Sequence, residues 1–147
     1  MSMFDTADPF DVTELNMELV SISDSEALYN HKAVLVDVNR NIIGFGGNDW
    51  SSMNKSSIDK EYFVYAYVDY VGFVLKGRLD LTDSEKNNPY YYGGVIRGLY
   101  IDDYLYVYSG DYLDVFNLAT LEKVQSLKIS DDTEQGYRGA VPLAGIS

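Results

Sequence analysis

Three groups of residues in this chain have side chains suited to chemistry. His31 is the single histidine, and Ser23, Asp24, Ser25 and Glu26 stand just before it. Those types could serve acid–base or nucleophilic work, but a serine hydrolase needs hydroxyl, imidazole and carboxylate within hydrogen-bond reach and donors for the oxyanion. No G-x-S-x-G occurs to supply the strained elbow under such a serine. The catalytic assignment is therefore none, leaning away from an enzyme. A secreted hydrolase or lyase using loop carboxylates with His31 is the alternative.

The second group is acidic. Asp102, Asp103, Asp111 and Asp114 flank one alternating stretch, and Asp80, Asp83 and Glu85 flank a boundary further up the chain. Carboxylates gathered in loops can hold Ca²⁺, which takes about six to eight oxygens. Asp102, Asp111 and Asp114 are the weak metal candidates. No D-x-D-x-D-G spacing occurs. A strand also sends alternate residues to opposite faces, so Asp102 and Asp103 reach one ion only across a turn. Solvated turn residues are the favoured reading, with no metal and no cofactor expected and Ca²⁺ the one exception considered.

The third group is aromatic. The chain has 14 tyrosines. Tyr90, Tyr91 and Tyr92 lie between Asn87-Asn88-Pro89 and Gly93-Gly94, outside any alternating run, and Trp50 stands in the other long loop. These four residues are the candidate ligand-binding set, facing a peptide or a glycan. Their plainer reading is that the rings cap an open end of the fold.

The elements that must position these groups are strands. The chain has 147 residues, 46% of them hydrophobic, which suits one domain with a core. It carries 23 acidic against 11 basic residues, a formal net charge of −12. Nucleic acid and anionic membrane are thereby poor partners. Cysteine is absent, which removes disulfides, thiolate metal sites and a cysteine nucleophile. No stretch approaches the roughly 18 apolar residues of a spanning helix, and residues 1–5 lack the basic and apolar regions of an export signal.

Residues 32–45 are two apolar-rich runs around Asn39-Arg40-Asn41, which is hairpin-turn chemistry. Residues 61–81 are rich in Tyr, Val and Phe, all strand formers. Only 24–30 and 118–123 resemble helix, and both are short. Residues 50–58 and 83–94 read as loops. Tyr104, Tyr106 and Tyr108 share one face of their strand and Leu105 and Val107 the other, so one of the two faces is core.

The strands repeat. Residues 2–20, 64–81 and 114–129 each read as strand, turn and strand, and the hairpin from Val34 matches the one from Leu99. A four-stranded unit with a period of roughly 40 to 55 residues is the spacing of a β-propeller blade.

Four segments in order, Phe4-Asp5-Thr6-Ala7-Asp8-Pro9, Ser25-Glu26-Ala27-Leu28-Tyr29-Asn30-His31-Lys32-Ala33, Ile96-Arg97-Gly98-Leu99-Tyr100-Ile101 and Leu113-Asp114-Val115-Phe116-Asn117-Leu118-Ala119-Thr120-Leu121-Glu122, carry a resemblance. The chain resembles the last two to three blades of secreted bacterial and archaeal proteins with a C-terminal β-propeller domain, distantly WD-40-like. That resemblance implies an all-β fold of antiparallel four-stranded blades, an extracellular or cell-envelope location, and no activity transferable residue by residue. In such blades His31 would be a structural residue where a blade begins.

The expected layout is the outer half of a blade over 1–22, a blade over 23–83, a linker loop over 84–94, a blade over 95–130 and an extension over 131–147. About two and a half blades fall short of the four or so of a closed ring. Apolar faces and an edge strand would then stand open, so the expected partners are the remaining propeller blades or another copy of the chain, with protein or glycan as ligand. A β-sandwich or open barrel is the alternative architecture. A segment that only completes a ring, and binds nothing itself, is the purely structural alternative in function.

Overall fold

The computed structural model describes residues 1–49, 59–82, 95–110 and 112–129. Among these residues ten strands form three antiparallel sheets in chain order. β1 (Ser2–Asp5) pairs β2 (Thr13–Met17) in a two-stranded sheet. β3 (Val34–Asp37), β4 (Ile42–Asp49), β5 (Asp59–Val68) and β6 (Gly72–Asp80) make a four-stranded meander. β7 (Arg97–Ile101), β8 (Tyr104–Tyr108), β9 (Tyr112–Asn117) and β10 (Lys123–Lys128) make a second. The helical content among the described residues is two single turns of 3-10 helix, Glu26–Leu28 and His31–Ala33.

Local chemistry sets the hairpins. Asp37 Oδ1 accepts from the amides of Asn39 at 2.9 Å and Arg40 at 3.2 Å, curling the chain out of β3. Asn41 then adopts a φ of 53°, the left-handed region that asparagine tolerates. Its side chain also exchanges two hydrogen bonds with the backbone of Tyr67, at 2.7 and 2.9 Å, as a strand residue would. Asn117 repeats the device at the β9–β10 turn, accepting from Ala119 and Thr120.

The middle sheet has both faces covered, and β5 shows why. Tyr62 and Val64 point to one side and are packed with Leu79, Leu81, Ile96, Leu105, Val107 and Phe116. Phe63 and Tyr65 point to the other and pack with Phe45, flanked by Met1, Val20, Ile22 and Phe73. The rings of Phe63 and Tyr65 stack on Phe45 with centroids 5.6 and 6.0 Å away. A sheet sandwiched in this way needs a near-continuous apolar strand, as 62–66 is. The two-stranded sheet lies against the outer strand of the middle one, where Asn16 Oδ1 accepts from the amide of Phe73 at 3.2 Å.

Leu105 and Val107 are completely buried and face the middle sheet, which settles the two-faced strand at 104–108. The tyrosine face of that strand looks away, and Leu99 and Ile101 share it through their pairing with Tyr106 and Tyr104. Leu99 and Ile101 are both more than half exposed there.

Candidate functional site

Strand direction places the chain's longest connections together. β4 ends, β5 begins and β6 ends at one end of the middle sheet. The strand ends that flank 50–58 and 83–94, and the start of β3, therefore share that side, while the turns 38–41, 69–71 and 102–103, and the end of β2, lie towards the other. The third sheet is oriented the same way, because Ser109 Oγ, just past β8, donates to the carbonyl of Thr82, just past β6.

At the long-connection end the chain builds a polar recess. Asp24 and Asn48 form an antiparallel bridge with backbone bonds of 2.8 and 3.2 Å. Directly opposed residues present their side chains to the same face, so the Asp24 carboxylate stands beside the Asn48 amide. Ser25, buried next to them, donates its hydroxyl to the carbonyl of Gly46. Asn48 lies two residues beyond Gly46 on the same face, and a Cβ on Gly46 would fall 2.4 Å from Ile96. The recess is about 240 Å³ and is walled by Asp24, Glu26, Tyr29, Ala33, Asn48 and Ile96. Asn48 is 5% exposed, and its Oδ1 has no hydrogen-bond partner among the described residues.

Glu26 faces across the boundary between the two four-stranded sheets. Both its oxygens accept from Arg97, at 2.6 and 2.7 Å, and Asn30 Nδ2 donates to one of them. The Arg97 hydrogen bonds, followed by that of Asn30, hold the Glu26 carboxyl down at about 2, well under the ordinary 4.5, against the opposing effect of burial. Three further ties run along the same boundary. In its middle, Tyr62 is wholly buried with an unpartnered hydroxyl, and a Cβ on Gly44 or Gly98 would come within 2.6 or 2.0 Å of that oxygen. At the short-turn end Tyr100 holds the Asp37 carboxyl low, while Arg40, which donates to Asp37 at 3.3 Å, lies over the Tyr100 ring at 4.4 Å. Towards the outer strands Asp114, fully buried, accepts from the amide and hydroxyl of Thr82 at 2.6 and 2.8 Å and from Lys123 at 3.2 Å. Burial pushes the Asp114 carboxyl up, but hydrogen bonding from Ser126 and Thr82 and the charge of Lys123 outweigh it and leave it lowered.

The residues singled out in the sequence fall in different places. Trp50, Tyr90, Tyr91, Tyr92 and Asp111 lie outside the described residues. Asp102 occupies an exposed turn with a φ of 51°, whereas Asp114 pairs with Val107 at the far end of β8, so the two do not converge. Among the described residues no three His, Asp or Glu side chains gather to hold a metal ion. His31 is exposed at the start of its 3-10 turn. Ser25 is engaged with Gly46, and Ser23 Oγ donates to Asp49 at 3.3 Å.

Sequence reasoning missed Asn48, Arg97 and Thr82. For Asn48 one signal existed, the glycine-rich run Gly44-Phe45-Gly46-Gly47 before it, since glycines in a strand mark close approach by another segment. Nothing local marks Arg97, whose partner lies 71 residues away.

The family model described as "Beta propeller domain" matches residues 1–121. The chain belongs to that β-propeller family. Its four-stranded meanders are propeller blades stacked face to face, and β1–β2 stands beside them as a partial one. An "Uncharacterized protein" of Archaeoglobus fulgidus is similar to this propeller segment, at 29% identity over 129 residues. That match covers 88% of the chain and 17% of the relative, so the chain spans about a sixth of the length of the protein it matches. No solved structure matches the propeller segment. No helix among the described residues is long and apolar enough to cross a membrane.

Proposed function

We propose that this propeller segment is a non-catalytic interaction module of a secreted or cell-surface protein, binding a protein or glycan at the long-connection end of its blades. The observation that supports this reading most is the shared end. The strand termini that flank 50–58 and 83–94, which carry Trp50 and Tyr90–Tyr92 in the sequence, open beside the recess of Asp24 and Asn48. Loops carried on a rigid sheet scaffold are where binding groups concentrate. In this reading the module also packs against further blades, whether of the same polypeptide or of another copy. Leu99 and Ile101 on the open face of the last blade, and Phe4, Leu15 and Met17 on the partial one, offer the apolar surface for that packing.

The test is a screen of immobilised glycans and peptides with the whole chain, repeated with Trp50→Ala and Tyr91→Ala. Aromatic anchors of an interface lose at least about tenfold in affinity on truncation. Ligands bound equally well by both variants would remove the loops from the reading, and an empty screen would leave the segment a structural part of a ring.

A further inference from the structure

We propose that the recess between Asp24, Asn48 and Ile96 is a socket for one basic side chain, the ammonium of a lysine or the guanidinium of an arginine presented by a protein partner. This deepens the binding role above, naming the chemistry of the partner, and rests on that reading of the long-connection end.

Four features of the recess converge on a cation. The Asn48 Oδ1 is a hydrogen-bond acceptor, 95% of its residue is buried, and none of the described residues donates to it. A buried acceptor left unpaired is costly, so the site favours a ligand that brings N–H groups. Asp24, on the same face, is only partly buried and has no side-chain partner among the described residues, which gives the donor its counter-charge. Ala33 and Ile96 supply apolar walls for a methylene stem, and Tyr29, 76% exposed, stands at the rim where a ring can cover a cation. The volume of about 240 Å³ suits a single long side chain and excludes a folded element.

The neighbouring charges do not cancel this. Arg97 is matched by Glu26 in a two-point ion pair, and Lys60, which pairs with Asn48 across β4 and β5, is buried and already has a partner. A formal net charge of −12 also steers a basic partner towards the chain.

The experiment titrates the ¹⁵N-labelled chain with three capped tripeptides, Ac-Gly-Lys-Gly-NH₂, Ac-Gly-Arg-Gly-NH₂ and the neutral Ac-Gly-norleucine-Gly-NH₂. Saturable shifts at the Asn48 side-chain amide and at the backbone amides of Val95 and Ile96 are expected with a basic peptide. Binding should weaken about tenfold or more for norleucine, and about tenfold in Asp24→Asn, in line with a hydrogen bond to a charged group. Equal binding of norleucine, shifts centred elsewhere, or no shifts up to tens of millimolar would overturn the proposal. Should Asp24→Asn fail to fold, the norleucine comparison on the unaltered chain still decides. The tripeptide titration tests the recess and the glycan and peptide screen tests the loops, so failure of one reading is distinguishable from failure of the other.

Discussion

Arg97, the first residue of β7, grips both carboxylate oxygens of Glu26 at 2.6 and 2.7 Å across 71 residues of chain. The bond ties the segment that opens one blade to the strand that opens the next. Fork-to-fork geometry of this kind fixes orientation as well as adding energy. It keeps two stacked sheets from sliding over an apolar boundary that has little directional preference of its own.

Acid should loosen this tie in a defined window. Glu26 has a lowered carboxyl in the folded chain, about 2 against 4.5, so its contribution is fully present above about 4.5 and is lost as pH falls through about 2. Melting temperatures of the parent chain and of Glu26→Gln, compared from neutral pH to about pH 2, are expected to differ by a constant gap that closes below about pH 4.5. A gap that does not change with pH would show that the ion pair contributes nothing through its charge.

Tyr62→Phe is expected to stabilise the chain. The hydroxyl is buried without a partner between Gly44 and Gly98, and an unsatisfied buried polar group costs roughly 1–3 kcal/mol. Its removal should raise the urea midpoint with an unchanged slope. A lower midpoint would mean that the hydroxyl has a partner after all, for which an ordered water is the natural choice.

Asp114→Ala is expected to cost roughly 3 kcal/mol, because it strands the Thr82 amide and hydroxyl and takes away the carboxylate that faces the Lys123 ammonium. Asp114→Ala with Lys123→Met should recover part of that loss, since the unpaired cation is gone. Chemical denaturation of the two variants measures the coupling, and strictly additive losses would count against a shared network.

The open apolar faces predict association. Light scattering over a concentration series should find a species larger than the monomer, and Leu99→Ser with Ile101→Ser should shift it towards monomer, as removal of an exposed apolar patch would. A monomer at every concentration would mean that those faces stay wet in this chain.

The blades were legible in the sequence because their signals are local. Alternation through 61–68 and 104–108, and Asn or Asp at the turns, need only neighbours a few residues away, and the strands fall where those patterns lie. Which face of 104–108 is core was not legible, since Tyr and Leu both fit a half-buried strand. It was decided by the opposing sheet, which offers Val64 and Leu79 to Leu105 and Val107. The boundary was less visible still. A lone aspartate in a turn-rich stretch reads as solvated, yet Asp114 is completely buried, because its partner Thr82 arrives from 32 residues upstream. Asn48 gave no hint of an empty acceptor, because whether an amide is satisfied depends on every segment that folds over it.

Tyr62 between Gly44 and Gly98 has one more consequence. The ring is the spacer between the second strand of one blade and the first strand of the next, and neither glycine leaves room to spare. A methyl group at residue 98 would meet that ring at its oxygen and press the two sheets apart at this point. The separation of the stacked sheets is therefore set in part by the absence of two side chains.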